Sequence, residues 1–86
     1  VLVDFFAEWC GPCKMMKPVL EELKKKMGNK IIILKIDIDK NVSVSSEYRI
    51  QSVPTLVLWK QGEIIWRQSG ALSLNELEQI LSSYIR

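Results

Sequence analysis

The 86-residue sequence contains no histidine and only two cysteines, and these scarcities exclude several kinds of functional site. Without histidine, a single chain cannot form a Cys/His zinc site or pair a cysteine nucleophile with an imidazole base. The two cysteines are also too few to build the disulfide framework of a small secreted domain. Acid–base chemistry within the chain must therefore rely on carboxylates.

Long apolar runs and a large excess of one charge are also missing. No run approaches the roughly 20 apolar residues that a membrane-spanning helix needs, so we expect no membrane partner. The 12 basic and 10 acidic residues leave a net charge of +2, which does not indicate binding to nucleic acid. The composition, 48% hydrophobic and 26% charged, is typical of one folded globular domain.

The periodicity that is present changes from strand to helix and back along the chain. Residues 1–6 are apolar on both faces except at Asp4, which is typical of a central buried strand. Apolar residues recur at helical spacing over residues 12–27, and Pro18 predicts a kink within this helix. Residues 31–36 read as a second buried strand, which predicts a right-handed crossover between two parallel strands.

The second half of the sequence predicts a short helix, a hairpin and a closing helix. Three serines and two valines weaken the helical propensity of residues 42–48. Residues 55–60 and 63–69 read as antiparallel strands joined by the tight turn Gln61-Gly62. Residues 73–76 form a capping box ahead of an amphipathic helix. We therefore predict an α/β fold, with a mixed four-stranded sheet flanked by helices.

Cys10 and Cys13 lie at the junction between the first strand and the first helix. Unpaired N–H groups and the positive end of the helix dipole favour a thiolate there, which predicts Cys10 as a nucleophile. Cys13 follows one helical turn later and can act as the resolving thiol. The alternatives are a structural disulfide, or half of a zinc or iron–sulfur site completed by a second chain. The missing second cysteine pair and the smallness of the loop disfavour them.

Around these cysteines the sequence is similar to the active-site segment of the thioredoxin family. The similarity is clearest in VDFFAEWCGPCK, residues 3–14. It extends over the chain through Pro18, Lys35, Val53-Pro54-Thr55, Gly62 and Gly70-Ala71-Leu72-Ser73. The resemblance implies a thioredoxin fold and a protein dithiol–disulfide oxidoreductase, which reduces protein disulfides through a mixed disulfide at Cys10 that Cys13 resolves.

The resemblance also implies roles for residues outside the cysteine pair. At the position of Asp4 the family has a buried carboxylate that relays a proton to or from the resolving cysteine. The apolar neighbours of Asp4 independently predict a desolvated carboxyl with a raised pKa. The alternative is a strand aspartate neutralised by a lysine, and Lys35, which matches the family's lysine, fits both. By the same resemblance Pro54 is a cis-proline, and the substrate-binding residues are Trp9, Gly11, Pro12, Val53, Pro54, Gly70 and Ala71.

The resemblance further implies that no cofactor or metal is bound and that the redox-active disulfide Cys10–Cys13 is reduced by a thioredoxin reductase using NADPH. Disulfide-containing proteins would be the substrates, and the full-length form would be a monomer. The implied compartment is the cytoplasm, with a periplasmic or secreted form as the alternative. Two other functions stay open: an oxidase or isomerase domain that works at a higher potential, and a module that docks partners on the Trp9 surface without turnover.

The sequence departs from the family pattern at three positions and at its start. Phe6 stands where a tryptophan is common, and Arg49 and Ser52 stand where small residues or glycine are common. The family's usual first strand and helix have no counterpart, so we expect residues 1–86 to be a thioredoxin domain truncated at its N-terminus. The outer edge of the strand over residues 31–36 would then be exposed.

Overall fold

The computed structural model describes residues 1–84, and in this range a four-stranded sheet is flanked by three α-helices. The elements in chain order are β1 (Leu2–Phe6), α1 (Gly11–Met27), β2 (Ile33–Asp37), α2 (Val42–Glu47), β3 (Thr55–Lys60), β4 (Glu63–Ser69) and α3 (Leu74–Tyr84). A short 3₁₀ turn over Gly28–Lys30 follows α1. The predicted order of elements and the mixed α/β architecture are confirmed.

The sheet has the order β2–β1–β3–β4, with β1 parallel to β2 and the other two neighbouring pairs antiparallel. β1 has a neighbouring strand on each side, as its apolar residues on both faces predict, and four of its five residues, Asp4 included, are buried. Neighbouring parallel strands have their C-terminal ends on the same side of a sheet, so the segments that follow β1 and β2 lie close together there. Both cysteines follow β1 on this side.

Helix α1 runs through Pro18 as one element of 17 residues. Its buried residues recur at helical spacing: Cys13, Met16, Leu20 and Leu23. The helix ends at Gly28, whose φ of +57° lies in the region that favours glycine. The Lys24 ammonium donates to the carbonyl of Gly28 at 2.9 Å and to that of Ile31 at 2.6 Å, which also secures this end. The single helix is confirmed, and the kink stays a prediction.

The main hydrophobic core lies between the sheet and the pair α1 and α3. It contains Leu2, Met16, Leu20, Leu23, Ile31, Leu56, Leu58, Leu72, Leu77 and Leu81, all buried. A smaller cluster on the opposite face joins Val3, Phe5 and Val57 to side chains of and next to α2. Within residues 1–84, no helix is both long enough and apolar enough to cross a membrane.

The strand predicted over residues 31–36 is less buried than its sequence indicates. β2 begins at Ile33 and is an edge of the sheet among the described residues. Ile32 and Leu34 are 57% and 50% exposed, although Ile31 is buried. An apolar run shows that a strand prefers burial, but it does not show whether a neighbouring strand is present to provide it.

Candidate active site

Cys10 and Cys13 form a disulfide at the N-terminus of α1, with their Cα atoms 5.3 Å apart. Cys10 is the N-cap residue: its backbone is extended, and its sulfur accepts the backbone N–H of Cys13 at 3.1 Å. A cysteine thus occupies the position where Ser, Thr, Asp or Asn usually caps a helix. The N–H donor and the helix N-terminus both favour negative charge on the Cys10 sulfur. The predicted proximity of the two sulfurs is confirmed.

Two segments that are distant in sequence meet beside this disulfide. The Cys10 sulfur lies 3.6 Å from the carbonyl oxygen of Val53. The Val53–Pro54 peptide bond is cis, and Pro54 is fully buried. The Gly70 N–H donates to the Pro54 carbonyl at 2.8 Å, so the end of β4 is tied to the same place. Cys13 is also buried, at 7% exposure, whereas Val53 is half-buried and Gly70 is exposed.

The rim of the site is exposed and partly aromatic. Trp9 is 69% exposed, and its indole N–H donates to the Asp39 carboxylate at 2.8 Å. Gly11, Pro12 and Ala71, the remaining predicted substrate-binding residues, are exposed as well. Sequence reasoning did not single out Asp39. Its position just after β2 could have indicated it, because the loops that follow parallel neighbours lie at one edge.

Asp4 lies on β1, in register with Lys35 on β2 and Leu56 on β3. Its side chain is 3% exposed, and its Oδ1 atom is buried without a hydrogen-bond partner. Burial raises the pKa of Asp4 from its ordinary value of 3.8 to about 6, while the nearby positive charge of Lys35 acts in the opposite direction. The raised pKa that the apolar neighbours predict is present in the folded protein.

A cavity of about 340 Å³ brings Asp4, Cys13 and Lys35 together. Its other lining residues are Phe6, Ala7, Glu8, Lys14 and Lys17. Among the ion pairs found in residues 1–84, none joins Asp4 to Lys35. Lys35 therefore influences the carboxyl at longer range than a direct salt bridge, and Asp4 and Cys13 line the same cavity.

The described residues also contain no candidate metal site, since no group of three His, Cys, Asp or Glu side chains is arranged to hold an ion.

Two further contacts shape the loops around the disulfide. The Leu72 N–H donates to the buried thioether of Met16 at 3.4 Å, and the Thr55 hydroxyl donates to the Ser52 carbonyl at 2.6 Å. The first contact joins residues 56 positions apart and no local sequence pattern indicates it, whereas the second is local, between residues three positions apart.

The geometry of the site agrees with the comparison to known proteins. The family model described as Thioredoxin matches residues 1–83, which is nearly the whole chain. The chain belongs to the thioredoxin family. Its sheet and helices therefore form a thioredoxin-like fold, and its cysteine pair is the redox-active centre of a protein-disulfide oxidoreductase, as in this family of disulfide reductases.

Curated thioredoxins of bacteria and plants show the same similarity. The chain is 44% identical to a thioredoxin of Buchnera aphidicola over 86 residues, which is all of this chain and 79% of that protein. It is 44% identical to a thioredoxin of Bacillus subtilis over 85 residues, covering 99% of this chain and 82% of that protein. It is 46% identical to the chloroplastic thioredoxin Y of Oryza sativa over 83 residues, 96% of this chain and 49% of that protein.

Proposed function

We propose that this thioredoxin-family protein reduces disulfides in other proteins through a mixed disulfide at Cys10. In the reduced form, the Cys10 thiolate attacks one sulfur of a substrate disulfide, and the other substrate sulfur leaves as a thiolate that takes up a proton. The Cys13 thiolate then attacks the Cys10 sulfur and releases the second substrate thiolate. Two electrons pass to the substrate, and the protein is left with the Cys10–Cys13 disulfide.

The position of Cys10 as the N-cap of α1 is the observation that supports this order of events best. Its sulfur accepts the N–H of Cys13 at 3.1 Å and faces the helix N-terminus, so a thiolate is favoured there. Cys13 lies inside the first turn and lines the cavity that it shares with Asp4. Cys10 is thus suited to attack a substrate, and Cys13 to resolve the adduct.

Asp4 supplies the base for the second step in this proposal. With a pKa of about 6, its carboxyl is mostly ionised at neutral pH and can accept the proton of Cys13 directly or through solvent in the shared cavity. Lys35 lines the same cavity, and its positive charge prevents a still higher pKa. The reduction rate should therefore increase as the pH rises through about 6.

The backbone of Val53 is the proposed binding edge for substrate. Its carbonyl lies beside the Cys10 sulfur, and an extended substrate segment could pair with it as an added strand. The exposed residues Trp9, Pro12 and Ala71 would contact the side chains of this segment. Backbone pairing gives affinity with little dependence on substrate sequence, as a general disulfide reductase requires.

The electron donor and compartment in this proposal follow from membership of the family. A thioredoxin reductase that uses NADPH would reduce the Cys10–Cys13 disulfide, with no cofactor bound to this chain. The proposed compartment is the cytoplasm, by analogy with bacterial thioredoxins. The proposed full-length form is a monomer. Disulfide-containing proteins are the substrates.

A trapping experiment tests the proposal. The Cys13→Ser variant, mixed in reduced form with a disulfide-closed peptide, should accumulate a covalent adduct at Cys10 that intact-protein mass spectrometry detects. Cys10→Ser is the matched control and should form none. An adduct with the control but not with Cys13→Ser would reverse the two roles. A Cys10→Ser variant that forms no adduct but retains full biological activity would instead support a docking module without turnover.

A further inference from the structure

The loop over residues 49–54 connects α2 to β3 and ends in the Val53–Pro54 pair. We call it the substrate loop, because the proposed function assigns the backbone of Val53 to substrate. Its β3 end is held firmly: buried Thr55 donates its hydroxyl to the Ser52 carbonyl at 2.6 Å, and the Gly70 N–H donates to the Pro54 carbonyl at 2.8 Å. The other end begins at the C-terminus of α2.

The α2 end of the substrate loop has an unusual residue in its turn. The Arg49 N–H donates to the Ser46 carbonyl at 3.0 Å, and the Ile50 N–H donates to the Ser45 carbonyl at 2.9 Å. This pair of hydrogen bonds is a common way to end a helix. The residue that donates the first of the two bonds has a left-handed backbone conformation and is usually glycine. Here that residue is Arg49, with φ of +54°. A six-residue helix followed by a strained turn needs support from elsewhere in the fold.

Arg67 of β4 provides such support. Its guanidinium donates from one terminal nitrogen to the Tyr48 carbonyl, and from the other to the Arg49 carbonyl at 2.9 Å. Arg67 is in register with Val57, which places it on the face of the sheet that α2 covers. A planar guanidinium can hold two adjacent carbonyls in fixed geometry, whereas a lysine ammonium is a single point charge on a flexible stem.

The ring of Tyr48 also anchors this turn, because it packs against aromatic side chains of the sheet. Its centroid lies 5.4 Å from that of Trp59 in an edge-to-face arrangement and 6.1 Å from that of Phe5. Tyr48 is thus held through its side chain by the sheet and through its carbonyl by Arg67. The start of the substrate loop depends on both contacts, but only the guanidinium reaches the strained residue Arg49.

We propose that Arg67 is a positioning residue for the reduction of protein disulfides. By holding the carbonyls of Tyr48 and Arg49, it fixes where the substrate loop begins and thereby where the Val53 backbone lies relative to the Cys10 sulfur. This inference rests on the proposed function, in which an extended substrate pairs with Val53. A small disulfide that reaches Cys10 without backbone pairing should depend much less on Arg67.

The experiment compares two substrates in the reduced 86-residue protein. A disulfide-closed peptide reports on backbone pairing, and a bis(nitrobenzoate) disulfide reports on the cysteine chemistry alone. Under single-turnover conditions, with substrate in excess, Arg67→Lys should raise the half-saturating peptide concentration about 5-fold with the limiting rate nearly unchanged. The ratio of the second-order rate constants for the peptide and the small disulfide should therefore fall about 5-fold. Gln68→Ala, an exposed neighbour on β4, is the matched control and should keep the wild-type ratio.

The outcomes separate the inference from the function on which it rests. Thermal unfolding identifies a temperature at which the wild type, Arg67→Lys and Gln68→Ala are all folded, and the rates are compared at that temperature. A wild-type ratio in Arg67→Lys would overturn the positioning role, as would an equal loss on both substrates. If Cys13→Ser fails to trap the same peptide while Arg67 is intact, the proposed function itself is wrong, and the inference falls with it.

Discussion

At the scale of single residues, Asp4 links the stability of the fold to its chemistry. The residue is 3% exposed, and its Oδ1 atom accepts no hydrogen bond. The pKa is about 6 in the folded protein and 3.8 ordinarily, so the folded state binds the proton more tightly than the unfolded chain. The stabilising contribution of protonated Asp4 is therefore complete below pH 3.8 and is lost as the pH rises through about 6.

Asp4→Asn should consequently stabilise the protein at neutral pH while it impairs catalysis. The pKa shift of roughly two units, at about 1.4 kcal/mol each, gives a gain in unfolding free energy of up to about 3 kcal/mol at pH 7. The gain should nearly disappear at about pH 3.5, where the wild-type carboxyl is mostly protonated in both states. Urea unfolding of the oxidised proteins at both pH values measures it. Glu63→Gln, at an exposed carboxylate, is the control, and an equal gain at both pH values would contradict the argument.

The residues of the site were predictable from the sequence where the reason for their role is local. Cys10 and Cys13 follow from their spacing at a strand-to-helix junction, and the raised pKa of Asp4 follows from its apolar neighbours. Asp39 and Arg67 escaped prediction because each acts on a residue at least 18 positions away. Contacts of this kind exist only once the sheet has assembled. For Asp39 the position just after β2 was a usable signal, whereas no motif in the sequence marks Arg67.

At the scale of the element, the turn after α2 contains a residue that is poorly suited to its backbone. A left-handed conformation costs a residue with a Cβ atom roughly 1–2 kcal/mol, whereas glycine adopts it freely but loses more entropy on folding. Arg49 has φ of +54°, and its exposed side chain makes no described hydrogen bond. The backbone carbonyl, which Arg67 contacts, is unchanged by substitution.

Arg49→Gly should therefore raise the unfolding free energy by about 0.5–1 kcal/mol. Chemical denaturation of the oxidised protein measures the change. Glu47→Gly, two residues earlier inside α2, is the matched control and should lower stability by roughly 0.5–1 kcal/mol, because helical backbone favours residues other than glycine. A loss of stability in both variants would show that the turn is not strained by Arg49.

The elements were predicted best where pattern and turn chemistry agree. The hairpin strands Thr55–Lys60 and Glu63–Ser69 have the predicted bounds, since Gln61-Gly62 takes positive φ at both residues. The capping box before α3 is also present: Ser73 and Glu76 each accept the other's backbone N–H. β2 was predicted two residues too early, because the apolar run begins at Ile31 but strand pairing with β1 begins at Ile33.

At the scale of the whole molecule, the two faces of the sheet are covered unequally. Helices α1 and α3 bury the face that holds the main core, whereas the six-residue α2 covers only part of the other face. The uncovered part adjoins the outer edge of β2, where Ile32 and Leu34 are half exposed or more. A preceding strand, which the family resemblance implies, would cover this edge and stays a prediction.

For the 86-residue chain by itself, the β2 edge should promote self-association. Unpaired backbone groups flanked by exposed Ile32 and Leu34 can pair with the same strand of a second copy, whereas a lysine on an edge strand opposes such pairing. We expect sedimentation velocity to show a concentration-dependent shift towards dimer, and Leu34→Lys to return the protein to monomer. Val42→Lys, an equally charged change at a 66% exposed residue of α2, should leave the association unchanged. A chain that stays monomeric at every concentration would contradict this expectation.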